Sequence, residues 1–84
     1  MRGRMIDKII EMLEKSPEKW QSYAVGQLYF QSDKGTVIIS NINSTYPRIF
    51  TTYGINIEFN NQERIKLMEA IKNFGKWQIE QALS

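Results

Sequence analysis

Apolar residues in the first stretch recur at Ile6, Ile9, Ile10 and Leu13, the i, i+3, i+4, i+7 spacing that lines one face of an amphipathic helix. The pattern predicts a helix from Met5 to about Ser16. Ser16-Pro17 stops it, because the residue before a proline is pushed out of the α region and the proline has no N–H for the ladder. From Trp20 to Phe59 the chain changes to Val, Ile, Thr, Tyr and Phe broken by turn residues, the texture of successive strands. Asp33-Lys34-Gly35 predicts a hairpin joining Val25–Gln31 to Thr36–Ile42, closed by a type I turn followed by glycine in the left-handed region. A third run, Arg48 to Tyr53, follows Tyr46-Pro47. After Gly54, Ile55, Ile57 and Phe59 alternate with polar residues and are expected to face the core.

Helical spacing returns at Asn60, which stands three residues before Glu63 as an N-cap stands before its capping-box partner. Leu67, Ala70, Ile71 and Phe74 give the inner stripe, and Ile65 and Met68 are expected to widen it. Gly75 weakens a helix by roughly 1 kcal/mol relative to alanine, and the favoured reading carries the helix through it to Leu83. The fold class is therefore α+β: a single domain over 1–84, with an N-terminal helix, a three- to four-stranded antiparallel sheet and a C-terminal helix. The simplest packing lays both helices on one sheet face. Any of Tyr23, Tyr29, Tyr46 and Tyr53 on the other face would make an interaction surface.

Composition narrows the class of function. With 42% hydrophobic and 24% charged residues the chain has ordinary globular usage. It has no Cys and no His, so disulfides and the usual zinc or transition-metal ligand sets are excluded and no cofactor is expected. A core this small rarely supplies more than roughly 3–5 kcal/mol, which leaves self-association as the available supplement. Met1-Arg2-Gly3-Arg4 is basic, but Asp7, Lys8 and Glu11 follow where a signal peptide would be apolar, and no apolar run is long enough to span a membrane. The expected location is the cytoplasm, with no membrane partner. The net charge of +2 makes nucleic acid a less favoured partner.

Without His or Cys, catalysis would fall to carboxylates, lysines and hydroxyls. Asp7, Glu11 and Glu14 share helical spacing, but they alternate with Lys8 and Lys15 as ordinary i,i+4 surface charges do. Glu58 is a lone acid between Ile57 and Phe59, and the glycines are too scattered for a phosphate loop. The expectation is a non-enzyme.

Binding features are more specific. Tyr46-Pro47-Arg48 and Tyr53 put aromatic faces and a guanidinium on neighbouring strands or loops, a set able to hold a base and a phosphate. Asn41 and Asn43 nearby can read a base edge or form turns. The structural alternative makes the tyrosines edge packing and Arg48 a solvated charge. Trp20 is expected to pack under the first helix. Arg64, Lys66 and Lys72 lie on the second helix, interrupted by Glu63 and Glu69. Trp77, Ile79 and Leu83 supply apolar surface beyond one intramolecular stripe and form the expected homo-oligomer interface.

The runs Leu13-Glu14-Lys15-Ser16-Pro17-Glu18-Lys19-Trp20, Gly35-Thr36-Val37-Ile38-Ile39 and Arg64-Ile65-Lys66-Leu67-Met68-Glu69-Ala70-Ile71-Lys72, with Tyr23, Asn41 and Ile57-Glu58-Phe59, carry a likeness. In these the chain resembles small accessory proteins of unknown function encoded by bacteriophages and prophages. The resemblance implies an accessory protein that modifies host processes or blocks host defences by stoichiometric binding in the host cytoplasm, the expectation being an anti-defence inhibitor, and it assigns no residue a role. The expected partner is a host signalling nucleotide or a host defence protein; the alternative is a small nucleic-acid-binding regulator.

Overall fold

The computed structural model describes residues 4–52 and 54–84. The first helix, α1, spans Met5–Lys15 and buries Ile6, Ile9, Ile10 and Leu13, the four positions of the sequence stripe. Ser16 caps it and a one-turn 3₁₀ helix at Pro17–Lys19 turns the chain straight into β1, Trp20–Ser22. Trp20 is buried, and its indole N–H donates to the Met12 carbonyl at 3.3 Å, so the residue that opens the sheet also holds the end of α1.

Among the described residues the sheet has five antiparallel strands in sequence order: β1, β2 (Leu28–Ser32), β3 (Gly35–Ser40), β4 (Arg48–Thr51) and β5 (Asn56–Ile57). This is one or two more than the sequence pattern suggests, because β1 is three residues long, too short to display a period, while of the alternating run 55–59 Asn56 and Ile57 form β5. Val25, expected to open a strand, is instead a fully exposed turn residue beside Gly26 (φ 77°), with Gln27 N–H bonded to Ala24 O. The β2–β3 hairpin also differs from expectation. Its loop is Asp33-Lys34 alone, with Gly35 already paired to Ser32. Gly35 has φ 139°, outside the left-handed helical region, and a Cβ there would collide with the Thr52 side chain, whose hydroxyl accepts the Thr36 N–H at 2.6 Å.

Register divides the sheet into two faces. Leu28, Ile39, Ile49 and Ile57 lie side by side across β2 to β5 and point toward the helices, with Trp20, Phe30 and Val37 in the adjoining row. These residues join the buried faces of both helices in one core. Ile55 does not join them; it is 57% exposed, because it precedes β5 at a turn where its carbonyl accepts the Thr51 N–H.

The second helix, α2, runs Asn61–Leu83 without a break at Gly75. Asn60 Oδ1 accepts the Glu63 N–H at 2.8 Å and Glu63 Oε1 accepts the Asn60 N–H at 2.9 Å, the reciprocal box expected from the sequence. Glu63 is also nearly buried, and Arg4 reaches it at 3.0 Å while donating to the Glu58 carbonyl, so the starts of α1 and α2 are tied together. Leu67, Ala70 and Phe74 are buried, with Ile71 and Trp77 packed partly against the core. Ile65 is 55% exposed and does not widen the inner face. No helix among the described residues is long and apolar enough to cross a membrane.

Candidate ligand-binding site

With both helices on one side, the second face of the sheet is open. Its central row follows from register: Gln21 of β1 opposes Tyr29 of β2, which opposes Ile38 of β3, which opposes Phe50 of β4, which opposes Asn56 of β5. Tyr29, Ile38 and Phe50 are half-buried by their neighbours alone, between two exposed amides. Tyr23, in the loop after β1, stacks on Tyr29 with ring centroids 5.2 Å apart and extends the aromatic surface. The alternation that buries Leu28, Ile39 and Ile49 puts Tyr29, Ile38 and Phe50 outside.

At the β5 end this face runs into an open recess of about 590 Å³ whose walls include Asn41, Tyr46, Arg48, Asn56 and Glu58. The loop between β3 and β4 builds one side. Asn41 adopts φ 56°, a left-handed conformation that asparagine tolerates, and its carbonyl accepts both the N–H and the hydroxyl of Ser44. The Ser44 hydroxyl in turn accepts the Tyr46 N–H at 3.0 Å, which fixes the approach to buried Pro47 and to Arg48 at the start of β4. Arg48 is exposed on the open face opposite Ser40, and among the described residues it makes no ion pair.

Three of the five expected ligand-binding residues, Asn41, Tyr46 and Arg48, therefore meet. Asn43 does not: Ile42 N–H donates to Gly26 O, and this tether carries Asn43 toward the β1–β2 loop, its amide 3.7 Å from where a Cβ on Gly26 would stand. Tyr53 lies outside the described residues. Asn56, which the sequence does not distinguish from its neighbours, joins the site through register with Phe50.

Arg64 was separated from the site by sequence distance and is brought to it by α2. Its guanidinium lies over the Tyr46 ring, 4.7 Å from the centroid, and donates to Thr45 O at 2.6 Å and to Asn61 Oδ1 at 2.7 Å. The hydrogen bonds hold the cation in place, and it covers one face of a ring that is otherwise exposed. Tyr46 is thus a positioned aromatic plate. No group of three or more Asp or Glu side chains among the described residues is close enough to share a metal ion.

No family model, curated protein or solved structure matches the chain.

The expected oligomer residues separate. Trp77 is half-buried, its ring 5.7 Å from Phe74, because it continues the inward 63, 67, 70, 74 spacing by three residues. Ile79 and Leu83 are 62% and 82% exposed on a different side of α2.

Proposed function

We propose that this protein is a non-catalytic binding protein that captures a nucleotide in the Tyr46–Arg48 recess and acts by holding it stoichiometrically. The observation that carries the reading is the convergence in one recess of an aromatic plate backed by Arg64, an Arg48 guanidinium with no ion-pair partner among the described residues, and the amides of Asn41 and Asn56. A base stacked on the free face of Tyr46 gains roughly 1–3 kcal/mol. Arg48 offers a bidentate fork to phosphate oxygens. Glu58, exposed on the same rim, suits ribose hydroxyls or an exocyclic amine as an acceptor and disfavours a phosphate on its own side, which orients the ligand. With the resemblance to phage accessory proteins, the biological reading is an anti-defence inhibitor that withdraws a host signalling nucleotide in the host cytoplasm.

The test is titration calorimetry with a panel of mono-, di- and cyclic nucleotides on the wild type and Arg48→Ala. The expected loss is about ten- to a hundredfold in affinity with an unchanged melting temperature. Equal binding by both proteins removes the recess from the reading; no binding by either removes the nucleotide.

A second reading rests on the aromatic row. Tyr29 and Phe50 flank Ile38 on adjacent strands of an open face, a platform on which successive bases of a single strand can stack. Phosphate-dominated binding falls steeply as salt rises, whereas a nucleotide seated in the recess responds less, so a salt titration with oligonucleotides against mononucleotides separates the two.

A further inference from the structure

The outward side of α2 carries a second pattern that the core does not use; one of its members, Met68, also accepts a hydrogen bond from Arg64 on its sulfur at 3.2 Å. Ile65, Met68, Lys72, Gly75, Ile79 and Ala82 are spaced three and four apart in alternation over the helix, the repeat of a coiled-coil seam. Ile65 and Ile79 are more than half exposed, and every residue from Gln78 to Ser84 is exposed, so the last turns of α2 stand clear of the core. Short helical segments without packing are marginal in water. Gly75 in mid-helix adds to that cost, and a Cβ in its place would touch nothing within 4 Å, so the monomer supplies no steric reason for glycine.

We propose that α2 pairs with α2 of a second copy of this chain, antiparallel, along this seam. Run head to tail about a two-fold axis between residues 73 and 74, the seam is complementary to itself. Ile65 meets Ala82 of the second copy, Met68 meets Ile79, and Lys72 meets Gly75, so that large residues face small ones at the ends and the long Lys72 side chain crosses over a residue with no side chain. In the same register Glu69 and Lys76 flank the seam on one side, and Glu69 of each copy faces Lys76 of the other. Among the described residues neither is engaged in an ion pair within its own chain, where the pairs are Arg4–Glu63 and Glu11–Lys15. A parallel pairing stacks Lys72 on Lys72 at the centre of the seam and puts Glu69 and Lys76 out of reach of each other, so the seam lysines select the antiparallel sense. Leu83 flanks the seam near its end, whereas Trp77 takes no part.

The experiment begins with sedimentation equilibrium of the full chain from about 5 to about 500 µM, where a dimer dissociating on dilution is expected. Glu69→Lys and Lys76→Glu should each weaken the dimer about tenfold, and the double exchange should restore it. Ile79→Asp should give a monomer that melts as a folded protein, since Ile79 is exposed in the single chain. Direction is read by cross-linking, because the chain has no cysteine of its own. A mixture of Met68→Cys and Ile79→Cys chains should form the mixed disulfide, and Met68→Cys alone should not. A monomer at every concentration, a double exchange no better than the single changes, or an efficient Met68→Cys homodimer overturns the proposal.

Discussion

Removing the cap of α2 tests the junction on which the two helices meet. In Asn60→Ala the Glu63 N–H loses its acceptor at 2.8 Å, a change that typically costs about 1 kcal/mol within a range of 0.5–2. Glu63→Gln keeps an oxygen for the Asn60 N–H and removes the negative charge, with its attraction to Arg4 and to the N-terminus of α2. The Arg4 side chain is 56% exposed, so this should cost about 0.5 kcal/mol. Glu63→Ala removes both contacts and the packing of a nearly buried side chain, for about 2 kcal/mol. For a domain of this size each kcal/mol lowers the melting temperature by about 4–8 °C, or the urea midpoint by roughly 1 M. Urea melts followed by tryptophan fluorescence, with Asn60→Ala, Glu63→Ala and the double variant as a cycle, read the coupling directly. Because the two bonds are reciprocal, the double variant should be about 0.5–1 kcal/mol less destabilised than the sum of the singles. In 1 M salt the deficit of Glu63→Gln should shrink while that of Asn60→Ala persists. Strict additivity, or no shift in Asn60→Ala, would refute the capping argument.

Three further outcomes follow from the core and the hairpin. Ile49→Ala, at a fully buried position between Ile39 and Ile57, should cost about 2–5 kcal/mol in chemical denaturation, a range that leaves the protein marginal or unfolded. Gly35→Ala should cost at least about 1–3 kcal/mol, because alanine is strained at φ 139° and its methyl meets Thr52; a variant as stable as wild type would show that the hairpin relaxes freely. Trp20→Phe should lose about 1–2 kcal/mol through the missing donor to Met12 O and the reduced ring, seen as a lower melting temperature; Met12 O keeps its bond from Ser16 N–H, which limits the penalty.

The parts of the fold legible in the sequence are those where one periodicity persists over several turns or where a motif has a fixed spacing. The α1 stripe, the Asn60–Glu63 box and the helix through Gly75 are of this kind. Elements set by tertiary pairing were not legible. A three-residue strand such as β1 exists because Trp20, Gln21 and Ser22 lie against Phe30, Tyr29 and Leu28, and its own composition does not announce it. Ile55 has the alternation of a core residue and the position of a turn residue, and position prevailed. Trp77 could have been placed inside from the 67, 70, 74, 77 spacing, which weighs more than its nearness to the exposed Ile79. For the site, adjacency in sequence correctly grouped Tyr46 with Arg48. It could not show Arg64, eighteen residues beyond Tyr46, seated over that ring.

Because every strand of the sheet pairs with its immediate successor, closing the meander requires only short loops, and little chain entropy is lost at any one step. The long-range closure is concentrated where α1 meets α2, with Arg4 reaching Glu58 and Glu63 across most of the chain. Undocking of α1 is therefore a natural sub-global opening: it exposes the inward row of the sheet while the ladder between β2 and β4 stays paired. Amide exchange should then report two protection classes, with α1 opening below the global unfolding free energy and the Leu28, Ile39 and Ile49 amides exchanging last.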